Sequence, residues 1–123
     1  YVKTNAQKAF VIMDSGMSEL IRPSHYGGYH EIEPAGPIAG RIDAVVDIVG
    51  PVCETGDFFA IGRSMPMPEE GELLAVRTVG AYGFTMASNY NGRRRPAEVL
   101  VDGTEVRLVR SRETYLDLTR GEL

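Results

Sequence analysis

Glycine and proline punctuate this chain so often, 14 and 7 times in 123 residues, that its apolar runs suit short strands better than ordinary helices. Lys8-Ala9-Phe10-Val11-Ile12-Met13-Asp14 is nearly continuous in apolar character and stops at Ser15-Gly16, as a buried strand does. Arg41 to Val49 alternates, with Ile42, Ala44, Val46 and Ile48 on one side and Arg41, Asp43 and Asp47 on the other, until Gly50-Pro51 ends it. Phe58 to Ile61 and Glu72 to Arg77 are further short strands. Between them lies Met65-Pro66-Met67-Pro68-Glu69-Glu70-Gly71, whose prolines keep it out of a sheet interior. Glu98 to Val101 and Thr104 to Val109 flank Asp102-Gly103, a favoured pair for a two-residue hairpin. Helix is confined to a turn at Ser18 to Tyr26, interrupted by Pro23, and to Ser111 through Leu118. The expected fold is one mainly β domain over residues 1–123, a β-sandwich or distorted β-barrel with short helical segments.

Composition narrows the classes of function. An apolar fraction of 43% and a charged fraction of 24% are ordinary for a globular chain, and no apolar run approaches membrane length. A net charge of -4 argues against nucleic acid as the main partner, with Arg93-Arg94-Arg95 a local exception. One cysteine excludes an internal disulfide and suits a reducing cytoplasm. The start at Tyr1-Val2-Lys3, without methionine or signal features, predicts a piece of a longer polypeptide.

The chemistry concentrates in a few loops. Gly50-Pro51-Val52-Cys53-Glu54-Thr55-Gly56-Asp57 sets the only thiol beside a carboxylate, in a segment too rich in glycine and proline for regular structure. On such a loop Cys53 can do proton or nucleophile chemistry, the alternative being a buried thiol that packs as a small hydrophobe. Glu54 and Asp57 read as solvated loop charges or turn formers, and Asp57 by itself as a turn former. In Ile21 to His30, Arg22 offers a planar fork for an anion and Tyr26 a hydroxyl, unless the arginine simply stacks on a tyrosine. His25 and His30, without neighbouring ligands, read as structural, and no metal site is expected. Gly80-Ala81-Tyr82-Gly83-Phe84 brackets Tyr82 with glycines, which either brings backbone and hydroxyl close to a ligand or marks a strand end with a bulge. Asn89 to Pro96 is a polar surface turn or an anion-binding rim.

Taken in order, these blocks resemble the C-terminal domain of the diaminopimelate decarboxylases, pyridoxal-phosphate enzymes of the alanine-racemase-like fold group. The resemblance runs through Asp14-Ser15-Gly16-Met17, Leu20-Ile21-Arg22-Pro23 and Tyr26-Gly27-Gly28-Tyr29-His30. It continues through Gly50 to Asp57, Gly80 to Phe84, Ser88-Asn89-Tyr90-Asn91, Arg95-Pro96-Ala97-Glu98-Val99 and the terminal Arg112-Glu113-Thr114 with Asp117-Leu118.

The resemblance implies a complete enzyme in which a (β/α)₈ barrel, absent from this chain, binds most of the pyridoxal 5'-phosphate, while two subunits share each active site. It implies that Arg22 and Tyr26 hold the distal carboxylate of meso-diaminopimelate and that Tyr82 touches the cofactor phosphate. By the same resemblance Cys53 and Glu54 would reach the neighbouring subunit's site, Cys53 to manage the proton delivered after carbon dioxide leaves and Glu54 to contact the distal ammonium. Asp57 is implied at the dimer interface. The Schiff-base lysine and the phosphate-binding glycine loop are not in this chain, so the chain alone is expected to be inactive. The rivals are a related ornithine, arginine or carboxynorspermidine decarboxylase domain, and a non-catalytic regulatory module that binds a decarboxylase subunit.

Overall fold

The computed structural model describes residues 1–123. In chain order the elements are β1 (Val2–Thr4), β2 (Ala9–Ile12), α1 (Arg22–Tyr26), β3 (Ile32–Pro34), β4 (Asp43–Val49), β5 (Phe58–Pro66), β6 (Leu74–Val76), β7 (Glu98–Asp102), β8 (Glu105–Arg110) and α2 (Tyr115–Leu118). Two 3₁₀ turns, at Phe84–Met86 and Tyr90–Gly92, lie between β6 and β7. The expectation of a mainly β domain holds, but no sheet closes on itself into a barrel.

The larger sheet has the order β1-β2-β4-β5. Its β2 and β4 run parallel while the outer pairs are antiparallel. Parallel neighbours require a long crossover, and here that crossover carries α1 and β3, so it also carries Arg22 and Tyr26. The ribbon β3-β6 pairs Ile32 with Val76 and covers one face of the larger sheet. Between the two layers lies a core of Val11, Leu20, Ile32, Val46, Ile48, Phe59, Ala60 and Met65. Ile48 has no exposed surface, and burying a side chain of that size contributes roughly 1.5–3 kcal/mol.

Strand β4 departs from the alternation read in the sequence. Ala44, Val46 and Ile48 do face inward, but Ile42 precedes the strand and is 82% exposed, whereas Asp47 is only 5% exposed. The register shifts between Val46 and Ile48, as at a bulge, and the inward carboxylate is satisfied there. Lys8 Nζ donates to Asp47 Oδ2 at 2.7 Å and the Gly62 N–H donates to Oδ1 at 2.8 Å. The Lys8 bond above all holds this carboxyl below its usual range. Strand β5 is longer than expected for a related reason. Gly62 adopts φ 63°, so the chain passes a residue that looks like a turn and continues through buried Met65 to Pro66, which closes the strand opposite Asp43.

Three further differences are local. Pro23 does not interrupt a helix; it occupies the first turn of α1, where its missing N–H leaves no bond unmade, and Gly27 closes the helix at φ 60°. Strands β1 and β3 fall where polar residues and Pro34 hid the strand signal. The hairpin loop is shifted by one residue. Asp102 pairs with Glu105, leaving Gly103-Thr104 as the loop, with positive φ at Gly103 alone, the pattern of a II′ turn.

Candidate functional site

Two constellations stand beside one another, one on the loop after β4 and one around α1. The loop takes its shape from Asp57, which is 3% exposed. Its Oδ1 accepts the Met17 N–H and its Oδ2 the Val52 N–H, each at 2.6 Å. The Gly50 N–H donates to the Asp57 carbonyl at 2.9 Å and the Asp57 N–H to the Glu54 carbonyl at 3.0 Å. Gly16 and Gly50 clear the space, since a Cβ on Gly16 would lie 2.7 Å from Oδ1 and one on Gly50 would overlap both carboxylate oxygens. Asp57 is therefore an internal brace, not a surface turn former, and it fastens the Cys53 loop to the turn after β2.

Held in this way, the loop presents Cys53 and Glu54 to solvent. The alternative of a thiol sealed in the core is excluded. Glu54 Oε1 accepts the Gly56 N–H at 3.3 Å, and Oε2 accepts the Tyr90 hydroxyl at 3.2 Å. That hydroxyl bond, with the carboxylate charge, raises the phenol of Tyr90 above its usual range.

The second constellation is a cleft of about 210 Å³ lined by Arg22, Tyr26, Tyr82 and Met86. Arg22 on α1 is half-buried, its guanidinium 5.6 Å from the centre of the Tyr82 ring. It makes no ion pair, unlike Arg41, Arg77, Arg93, Arg95, Arg110 and Arg120. The arginine does stack on a tyrosine, and the stacking leaves its charge facing a cleft with no carboxylate in the lining. An anionic group is the complement of such a place. Tyr82 lies at φ 65°, a left-handed conformation unusual for a ring-bearing residue, in a turn so tight that a Cβ on Gly83 would overlap the Val79 carbonyl. This is a strained turn that ends in a 3₁₀ segment, not a strand end.

The loop and α1 are neighbours, because a Cβ on Gly56 would lie 3.9 Å from Ser24 Cβ. The segment from Ser88 onward braces the loop through Tyr90 and the stretch between β2 and α1 through Ser88 and Arg93. The Ser88 N–H donates to the Ser18 carbonyl at 2.9 Å. Arg93 donates to Ser18 Oγ at 3.1 Å and to the Asp14 carbonyl at 2.6 Å. Asn89 donates to Glu113 at 2.6 Å and Arg95 to the same carboxylate at 2.7 Å, which together bring Glu113 down to about 2, the Arg95 bond leading. The candidate anion rim is thus partly spent on internal bonds. Arg94 stacks on Tyr115 at 4.6 Å.

His30 is buried with its Nδ1 3.0 Å from the Arg77 carbonyl, in keeping with a structural role. His25 is exposed. No group of three or more His, Cys, Asp or Glu side chains is arranged to hold a metal ion. Tyr90 and Met86 belong to the two constellations and were not singled out in the sequence. Tyr90 had a signal, an aromatic inside a turn of Asn and Gly, but nothing local shows that it meets Glu54.

Residues 1–80 match the family model for the pyridoxal-dependent decarboxylase C-terminal sheet domain. The chain is similar to a diaminopimelate decarboxylase of Aquifex aeolicus, 51% identical over 94% of this chain and 27% of that protein. It is 50% identical to a Neisseria meningitidis diaminopimelate decarboxylase over 100% of this chain and 30% of that one. A crystal structure of the Helicobacter pylori diaminopimelate decarboxylase complexed with L-lysine superposes with a TM-score of 0.88 at 40% identity, covering 98% of this chain and 29% of that one. The chain thus spans less than a third of the length of these relatives.

Proposed function

The chain belongs to the pyridoxal-dependent decarboxylase family, and we propose that residues 1–123 serve as the C-terminal β domain of an enzyme that converts meso-diaminopimelate to L-lysine and carbon dioxide in cytoplasmic lysine synthesis. The observation that carries this reading is the unpaired Arg22 guanidinium beside the Tyr82 ring, in a cleft that Tyr26 also lines. A substrate of this class with no second carboxylate gives that charge nothing to hold.

The donor set fits one edge of pyridoxal 5'-phosphate. Tyr82 offers an exposed hydroxyl suited to its phosphate, whereas neither lysine of the chain lines the cleft, and Lys8 is bound to Asp47. The groups that hold the rest of the cofactor are assigned to the (β/α)₈ barrel outside this chain. When bound, the cofactor withdraws the electron pair left on carbon as carbon dioxide departs. This domain supplies orientation and a proton. Arg22 and Tyr26 bind the distal carboxylate, and Glu54, reaching the site of a second subunit, meets the distal ammonium. A cationic and an anionic holder at one substrate end select for a group that carries both charges. Cys53 Sγ, in that same neighbouring site, gives its proton to the carbon that has lost carbon dioxide.

The test joins this chain to the preceding portion of the Aquifex aeolicus relative. The fused protein should release carbon dioxide from meso-diaminopimelate and the chain alone should not. Arg22→Ala in the fusion should depress that turnover strongly while leaving any ornithine turnover unchanged. Full diaminopimelate turnover in the Arg22→Ala fusion would overturn the reading.

A further inference from the structure

Glu54 is held at both carboxylate oxygens, and the two bonds differ in kind. The Gly56 N–H bond is made within the loop, so it moves with it. The Tyr90 bond comes from a separate segment and fixes the side chain against the rest of the domain. Tyr90 is itself anchored. Its N–H donates to Ser88 Oγ at 3.3 Å, and the preceding Asn89 side chain donates to the Arg93 carbonyl at 3.0 Å and to Glu113 at 2.6 Å. Glu113, Asn89, Tyr90 and Glu54 therefore form one continuous line from the C-terminal segment to the Cys53 loop.

We propose that Tyr90 is a positioning residue that aims the Glu54 carboxylate at the substrate's cationic group. The inference rests on the reading of Glu54 as the partner of the distal ammonium. A carboxylate has about four lone-pair sites. Gly56 and Tyr90 occupy two, leaving two for an ammonium on a carboxylate that is exposed. A glutamate fixed in advance gives up less side-chain freedom when that ammonium arrives, so Tyr90 acts on binding and not on bond breaking. The phenol is well suited to the task, because it is a neutral donor near neutral pH and the carboxylate that it serves raises its pKa further.

In the fused enzyme, Tyr90→Phe should raise KM for meso-diaminopimelate roughly five- to tenfold, the loss of one hydrogen bond to a charged group, and change kcat less than about twofold. Glu54→Gln should raise KM further, and the double variant should be no worse than Glu54→Gln alone, since one residue works through the other. A second readout needs no turnover. In this chain labelled with ¹³C at the tyrosine rings, the Tyr90 resonance should titrate above the ordinary tyrosine range and return to it in Glu54→Gln. An unchanged KM in Tyr90→Phe beside a raised KM in Glu54→Gln would sink the positioning role and leave the substrate reading intact. An unchanged KM in Glu54→Gln would sink that reading and the inference with it. Fully additive losses, or a Tyr90 titration indifferent to Glu54, would show that the tyrosine acts on its own and would also overturn the proposal.

Discussion

Gly50 and Asp57 are fitted to one another: the glycine's missing side chain is the space in which the aspartate carboxylate lies, and its N–H donates to the aspartate carbonyl at 2.9 Å. The pair closes the loop that carries Cys53 and Glu54. Asp57→Ala strands the Met17 and Val52 N–H groups, each worth about 1–3 kcal/mol when buried without a partner. Urea unfolding should show a loss of about 2–5 kcal/mol in this variant, and Gly50→Ala should lose stability as well. Wild-type stability in Asp57→Ala would refute the brace.

Cys53 should separate stability from chemistry. Being exposed and free of structural bonds, it should tolerate Cys53→Ala within about 0.5 kcal/mol by the same unfolding assay. The native thiol should also react fully with iodoacetamide. In the fused enzyme, the same substitution should reduce kcat by about 10²–10⁴ with a smaller change in KM, the usual worth of a positioned proton donor. An unaltered kcat would remove the thiol from the proton's path.

Tyr82 should behave as a residue retained at some cost to the backbone. Tyr82→Gly releases the left-handed strain and should leave melting unchanged or stabilise the chain by up to about 1 kcal/mol. Tyr82→Phe should keep the fold and weaken cofactor retention in the fused enzyme, followed by the cofactor's absorbance after dialysis. A clear loss of stability in Tyr82→Gly would count against strain at this turn.

Acid should weaken the domain in a definite window. Glu113 titrates at about 2 in the folded chain against an ordinary 4.5, and Asp47, Glu72 and Asp117 are also lowered, chiefly by Lys8, by Arg41 and by the Thr114 backbone N–H. Folded values below unfolded ones mean that the unfolded chain binds more protons in this range. The stabilisation is complete above about 4.5 and is lost as the pH falls toward about 2. The melting temperature should decline between those limits and stay level just above them. Glu113→Gln should make the decline shallower, and a melting temperature independent of acidification would contradict the ion-pair assignments.

The residues themselves determined the mainly β character, most of β2 and β4 and the existence of the terminal hairpin, because these depend on neighbours in the chain: periodicity, turn chemistry and the cut of glycine and proline. Cys53, Glu54, Arg22, Tyr26 and Tyr82 were visible as candidates for the same reason, each lying in a short segment of unusual composition. What the chain alone left open was who meets whom. Asp47 reads as an outward charge until Lys8 and Gly62 are folded against it, and Asp57 reads as a turn former until Met17 arrives from the far side of a crossover. Pro23 reads as a break until it is seen at the first turn of a helix. Tyr90 and Glu54, like Arg22, Tyr82 and Met86, come together only through the parallel pairing of β2 and β4 and the return of the segment after β6. Contacts between residues so far apart are selected by burial and by the cost of leaving interior polar groups unpaired, and neither condition is written in a local pattern.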